Sequence, residues 1–210
     1  YMPSSYVHPS KMEKYAKMGG GGNLTLGGRE TGVRRLMTTN LLKRLESSVC
    51  SFRLTLERVL AAMNAALKTI DDYRRGLASG ASVADGDLPG GFDFDPDDES
   101  GFEVGGATKF LVEDMDWMSW ERDIESDVAV IEVLISMVRD IDPAHDAKLI
   151  ELCEQICEKS QGPINPGNRK VLVLTAFSDT ADYLYENVSA FAKRELGLEC
   201  AKVTGDGCAC

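Results

Sequence analysis

The sequence predicts a mostly α chain: a long antiparallel helical hairpin and a third helix, followed by a truncated βαβ unit of an α/β lobe. Three observations predict it. Apolar residues recur at steps of three and four from Leu41 through Leu45, Val49, Phe52, Leu56, Val59, Met63 and Leu67 to Ile70, a stripe of about four heptads. A second stripe of matching period runs Trp117, Trp120, Ile124, Val128, Ile131, Ile135, Val138. Near the C-terminal end, "RKVLVLTAFSDTADYLY" (Arg169 to Tyr185) reads as a buried strand, a short turn and the start of a helix.

In chain order, residues 1–32 read as an irregular, flexible lead-in, with four successive glycines from Gly19 to Gly22. The chain opens on Tyr1 rather than Met, so it is expected to begin inside a longer protein. A long helix is predicted over 33–76, ended by Arg74, Arg75 and Gly76. Residues 77–107 are acidic, rich in Gly and poor in apolar residues, which predicts a disordered loop. Asp93, Asp95 and Asp97 sit at the spacing of a calcium loop. Asp98 and Val104 then stand where such a loop needs Gly and Glu, so a solvated charge run is the better reading. Residues 108–160 carry the second long helix and a third helix from 143, with Asp142 as its N-cap and Pro143 at its first position. Two long helices with matching stripes and a connector fold back as an antiparallel pair. Their tryptophans, Trp117 and Trp120, lie on or near the seam, where a core role is expected over stacking on a nucleic-acid base. In 161–210 a strand (Lys170–Thr175), a helix (about Thr180–Glu195) and a second strand near Cys200–Val203 give the βαβ unit.

Composition bounds the function classes. Eight acidic residues between Asp85 and Glu103 take the net charge of −11 to −3 for everything else, so the acidity is local and does not exclude a nucleic-acid-binding parent. No apolar run approaches the roughly 18 residues that span a membrane, so no membrane partner is expected. Of the six cysteines, Cys50, Cys153 and Cys157 fall in helical patterns, as small apolar core residues of a reducing, cytoplasmic setting. With only His8 and His145 to add, no zinc set at the required spacing is read, and no metal site is assigned.

Two blocks carry a family resemblance. "NLLKRLESSVCSFRLTLERVL" (Asn40 to Leu60) and "DAKLIELCEQI…NPGNRKVLVLTAFSDTADYLYENV" (Asp146 to Val188) both resemble the Swi/Snf-type branch of superfamily 2 helicases, in particular large bacterial members. The resemblance covers about 33–60 and 143–205, while the middle is similar only in being helical. It implies an inter-lobe helical insertion plus the start of the second RecA-like, helicase C-terminal lobe. "LLKRLESS" looks like the junction leaving the first lobe, and "TAFSDTADYL" like the segment after the second lobe's first strand. Such enzymes hydrolyse ATP with Mg in the cleft between two lobes and move along DNA. The implied partners are therefore DNA, the missing first lobe and the rest of the second.

Ligands of open α/β sheets bind beyond the carboxyl ends of strands, where helix N-termini favour phosphate. Thr175, Phe177 and Ser178 are the resulting candidates for the nucleic-acid backbone, with Thr204 and Gly205 after the second strand. The other reading has Thr175 and Ser178 satisfying the turn, and Asp179 capping the next helix. Lys43, Arg44 and Arg53 either face nucleic acid or belong to a solvated helix face. No catalytic or cofactor-binding residue is assigned. The chain holds no G-x-x-x-x-G-K-[ST], so alone it is expected neither to bind ATP tightly nor to hydrolyse it. A competing expectation is a non-catalytic helical module that self-associates, pairing Leu45, Phe52 and Leu56 between chains, or dimerises non-natively through an exposed strand edge. A third has the βαβ unit completing another chain's sheet.

Overall fold

The computed structural model describes residues 2–16, 26–79, 87–88, 92–93, 103–104, 110–205 and 207–209. The chain is mostly helical, as expected. The helices are α1 (Met12–Ala16), α2 (Leu26–Ser47), α3 (Val49–Ser79), α4 (Trp117–Arg139), α5 (Ala147–Gln161) and α6 (Ser178–Phe191), the last extended by a single π-helical turn, Ala192–Leu196. Among the described residues six short strands pair antiparallel two by two: β1 (Asp87–Leu88) with β4 (Phe110–Leu111), β2 (Phe92–Asp93) with β3 (Glu103–Val104), and β5 (Lys202–Thr204) with β6 (Gly207–Ala209). The first two pairs fall in or beside the acidic stretch; the rest of 77–107 beyond Ser79, and the four glycines, lie outside the described residues. The chain divides into two compact units, Tyr1–Leu41 with Thr55–Ile135 and Leu42–Leu54 with Ser136–Cys210.

In the first unit the two predicted stripes make the core. Val59, Met63, Ala66 and Ile70 of α3 are buried with Trp120 and Ile124 of α4, and Val128 and Ile131 pack against them. Tyr73 meets Trp117 edge-on with ring centroids 6.3 Å apart, and Arg74 reaches Glu121 at 3.1 Å. The end of α3 therefore adjoins the start of α4, the arrangement an antiparallel hairpin requires. The α3 helix is 31 residues long, roughly 46 Å. It continues past Gly76, because one glycine inside a helix costs only about 1 kcal/mol and Arg74 anchors the last turns through Asp71 and Glu121.

The lead-in differs from the expected irregular tail. Short 3-10 segments at Pro3–Tyr6 and Pro9–Lys11 precede α1, and Val7 and Tyr15 are buried in the core. Val7 bridges Met115, while His8 N–H donates to Asp114 O at 2.9 Å and Asp116 N–H to Tyr6 O at 2.8 Å. The fastening point is the buried Asp114 carboxylate. Lys14 Nζ and Tyr15 Oη donate to it at 2.6 and 2.7 Å, and Lys11 Nζ lies 3.1 Å from its other oxygen.

Burial alone would push the Asp114 carboxyl up. The hydrogen bonds from Lys14, Tyr15 and Lys11 outweigh it and hold the group at about 2. A carboxyl whose folded value lies below the unfolded value of about 3.9 stabilises the fold above that pH, and the stabilisation is lost as pH falls through the folded value. On the order of 2 kcal/mol is therefore expected to disappear between about pH 4 and pH 2. Urea midpoints followed by tryptophan fluorescence check this, since Trp117 and Trp120 both lie in the first unit. Asp114→Asn is expected to start weaker at neutral pH and to lack that part of the acid decline.

The chain departs from expectation in four further places. The predicted single helix over 33–76 begins earlier, at Leu26, and is interrupted at Ser48. The third helix begins at Ala147, not 143: Asp146 is the N-cap, its carboxylate accepting from Lys148 and Leu149 N–H. Asp142 instead closes the preceding turn, accepting from Ala144 and His145 N–H at 2.9 and 3.0 Å. Both aspartates precede a plausible first turn, and the one followed by Ala-Lys-Leu at helical register wins.

The βαβ unit is the third departure. Residues 170–175 enter no ladder, and Leu172 and Leu174 are 83% and 84% exposed. The second strand, at Lys202–Thr204, pairs antiparallel with Gly207–Ala209. Closing that hairpin orders far fewer residues than bringing Lys202–Thr204 beside 170–175, so the local pairing wins. Fourth, α6 begins at Ser178 and its N-cap is Phe177, with no side-chain cap; Asp179 lies within the helix and does not cap it. At the other end Gly197 adopts φ 62°, and Leu198 N–H closes on Ala192 O at 3.1 Å. Arg169 ties two helix ends together, donating from Nε to Ser160 O and from Nη2 to Leu196 O, both at 3.2 Å.

Candidate functional site

The second unit brings "LLKRLESS" against "TAFSDT". Arg44, on the last turns of α2, is buried, its side chain 2% exposed. Its Nη1 donates to Asp179 Oδ2 at 2.7 Å and to Ser51 Oγ at 3.2 Å. The guanidinium lies over the Phe177 ring, 4.7 Å from its centroid. Asp179 is 13% exposed and sits in the first turn of α6, where the helix dipole also favours a carboxylate. One turn along α2, Ser47 Oγ lies 2.9 Å from Thr180 Oγ1 and 3.3 Å from Thr175 Oγ1. Lys148 Nζ donates to the Glu46 carbonyl.

The predicted site residues separate accordingly. Arg44 belongs neither to a solvated helix face nor to a surface open to phosphate: a buried guanidinium carrying a carboxylate and a ring has its charge matched inside the protein. Phe177 is the ring under Arg44. Thr175 is exposed, and its Oγ1 accepts from Phe177 N–H at 3.4 Å, the turn-satisfying role that the sequence left open. Ser178 is the first residue of α6. Lys43 is exposed, and Arg53 is half-buried against the Cys50 thiol. Thr204 Oγ1 donates to Gly207 O at 3.4 Å, and Gly205 is an exposed turn residue of that hairpin.

Sequence reading missed several partners. Ser47, Ser51 and Thr180 are hydroxyls inside helical runs, where alternation does not single them out; the Ser47-Ser48 pair was the available signal. Asp146 was overshadowed by Asp142. Tyr183 Oη donates to Asp146 Oδ2 at 2.9 Å, joining α6 to the start of α5. Burial, and then that carboxylate, push the Tyr183 hydroxyl well above its usual range. Burial likewise raises the Cys50 and Cys153 thiols, so both stay protonated near neutral pH.

Chemically, the arrangement joins and orients segments: a charge-matched guanidinium, a ring and a chain of hydroxyls. Among the described residues, no three His, Cys, Asp or Glu side chains gather into a metal site, and no helix is long and apolar enough to cross a membrane. No protein-family model, curated protein or solved structure matches this chain.

Proposed function

We propose that this chain supplies the inter-lobe helical insertion and the beginning of the second RecA-like lobe of an ATP-dependent DNA helicase or translocase, and is inactive alone. The observation that carries the reading is the Arg44–Asp179 pair. The two blocks that resemble the helicase family meet there, through residues 135 positions apart. The bare apolar run Leu172–Leu174 supports it further, since a continuous apolar strand suits the interior of a parallel sheet with further strands beside it. In this reading the exposed Lys43 and Thr175 are the residues left to meet a DNA backbone, while Arg44 positions the turn that carries Thr175. ATP and Mg bind elsewhere in the parent enzyme, which works in the cytoplasm.

DNA-stimulated ATP hydrolysis tests this. The purified chain is expected to show none, and a longer polypeptide that carries it behind a first lobe is expected to show it. Robust turnover by the chain alone, or none by the longer protein, overturns the reading.

A second reading, a helical interaction module, is favoured by one observation: Val130, Val133, Leu134, Met137 and Ile141 are exposed along α4 and just beyond it. Of the residues expected to pair, Leu56 is buried, Phe52 half-buried and Leu45 exposed. A mass that rises with concentration would support that module.

A further inference from the structure

We propose that the Ser47–Ser48 notch is a hinge in the helix that α2 and α3 would otherwise form together, and that Arg44, seated on Asp179 and Phe177, is the latch that keeps it interrupted. The helical ladder survives on either side of the break. Ser48 N–H donates to Arg44 O at 2.9 Å, and Phe52 N–H donates to Ser48 O at 3.1 Å. The groups that a continuous helix would use in between are diverted. Glu46 O, which would take Cys50 N–H, accepts from Lys148 Nζ. Ser51 N–H, which would reach Ser47 O, donates to Ser48 Oγ at 2.9 Å.

Two of the diverted groups, Glu46 O and Ser51 N–H, have side-chain substitutes. The continuous form would add ladder bonds at Val49 and Cys50, so contacts from outside the helix are what hold the interrupted form. Those contacts converge on the notch. Arg44 straddles it, holding Ser51 on the far side and Asp179 on α6. Ser47 turns its hydroxyl to Thr180. Adjacent serines are a recognised place for a helix to break, because their hydroxyls can replace ladder partners. Anything that withdraws Asp179 from Arg44 thus releases the notch.

Hydrogen exchange read by mass spectrometry on the whole chain tests this. Asp179→Asn keeps an acceptor and removes the charge. It is expected to slow exchange at Val49 and Cys50, whose N–H groups gain the ladder partners Leu45 O and Glu46 O in the continuous helix, by about tenfold or more, while exchange at Leu152–Ile156 in α5 is not slowed. Arg44→Lys, which loses the fork and the stacking, is expected to do the same and serves if Asp179→Asn does not fold. Leu42→Ala, exposed on the same turn, should leave exchange at 49–52 unchanged.

The signature of a hinge is a reversal of sign. Ser48→Ala alone removes the acceptor for Ser51 N–H and should speed its exchange. Combined with Asp179→Asn it should slow that exchange relative to Asp179→Asn alone, because alanine favours the continuous helix once the latch is gone. Unchanged exchange at 49–52 in the latch variants overturns the proposal. So does equal slowing in α5, or Ser48→Ala speeding exchange in both backgrounds.

Discussion

Asp179→Ala is expected to cost about 3–5 kcal/mol in the unit built from Leu42–Leu54 and Ser136–Cys210, among the largest losses from a single surface-proximal change. The reason lies in which partner is left behind. Arg44 is 2% exposed, so without Asp179 its charge stays buried, beside a ring and a hydroxyl that only partly compensate it. The converse change is milder. Arg44→Leu leaves Asp179, which at 13% exposure and in the first turn of α6 can recover water and helix N–H groups. A leucine also fills part of the vacated volume, so about 1–2 kcal/mol is expected. Urea-dependent hydrogen exchange of α5 and α6 measures both, since neither tryptophan lies in this unit. Equal costs for the two variants, or less than about 1 kcal/mol for Asp179→Ala, would show that the pair is solvated and holds nothing in place.

The same pair explains where sequence reading worked and where it stopped. Apolar period is a property of neighbours three and four residues apart, and it located α3, α4 and α5 and their inward faces: Val59, Met63 and Ile70; Trp120 and Ile124; Leu149 and Ile156. It could not locate the break at Ser48, because the stripe passes through Val49 and Phe52 without a missed step while the interruption is made by backbone groups finding side-chain substitutes. Nor could it bury Arg44. A lone arginine among leucines on a helix has the same local pattern whether it faces water or a carboxylate 135 positions away. The apolar run 171–174 was legible as strand-like composition, but whether such a run pairs depends on which partners are near, and the local hairpin took Lys202–Thr204. The N-terminal residues were misread for a related reason. Val7 and Tyr15 are too few for a periodic signal, and it is Asp114, about a hundred residues on, that fastens them.

Trp120→Ala is expected to remove about 3–5 kcal/mol from the first unit, comparable to the loss at Asp179 but by another route. Trp120 is 0% exposed and lies at the centre of the core that α3, α4 and the N-terminal segment share, with the Tyr6 ring 6.2 Å away. Truncation leaves a cavity that rigid helices on either side cannot collapse to fill. Trp120→Phe keeps a ring in the space and should cost about 1–2 kcal/mol, whereas Met118→Ala, on the exposed side of the same turn, should stay within about 0.5 kcal/mol of the parent. Trp117 remains in all three as the fluorescent reporter, held edge-on to Tyr73. The comparison also separates two roles that the sequence allowed for these tryptophans. A ring that served to stack on a base would be replaceable at little cost to stability and at large cost to single-stranded DNA binding. A ring that closes the core lowers the unfolding midpoint whether or not DNA is present, and its full burial puts Trp120 in the second class.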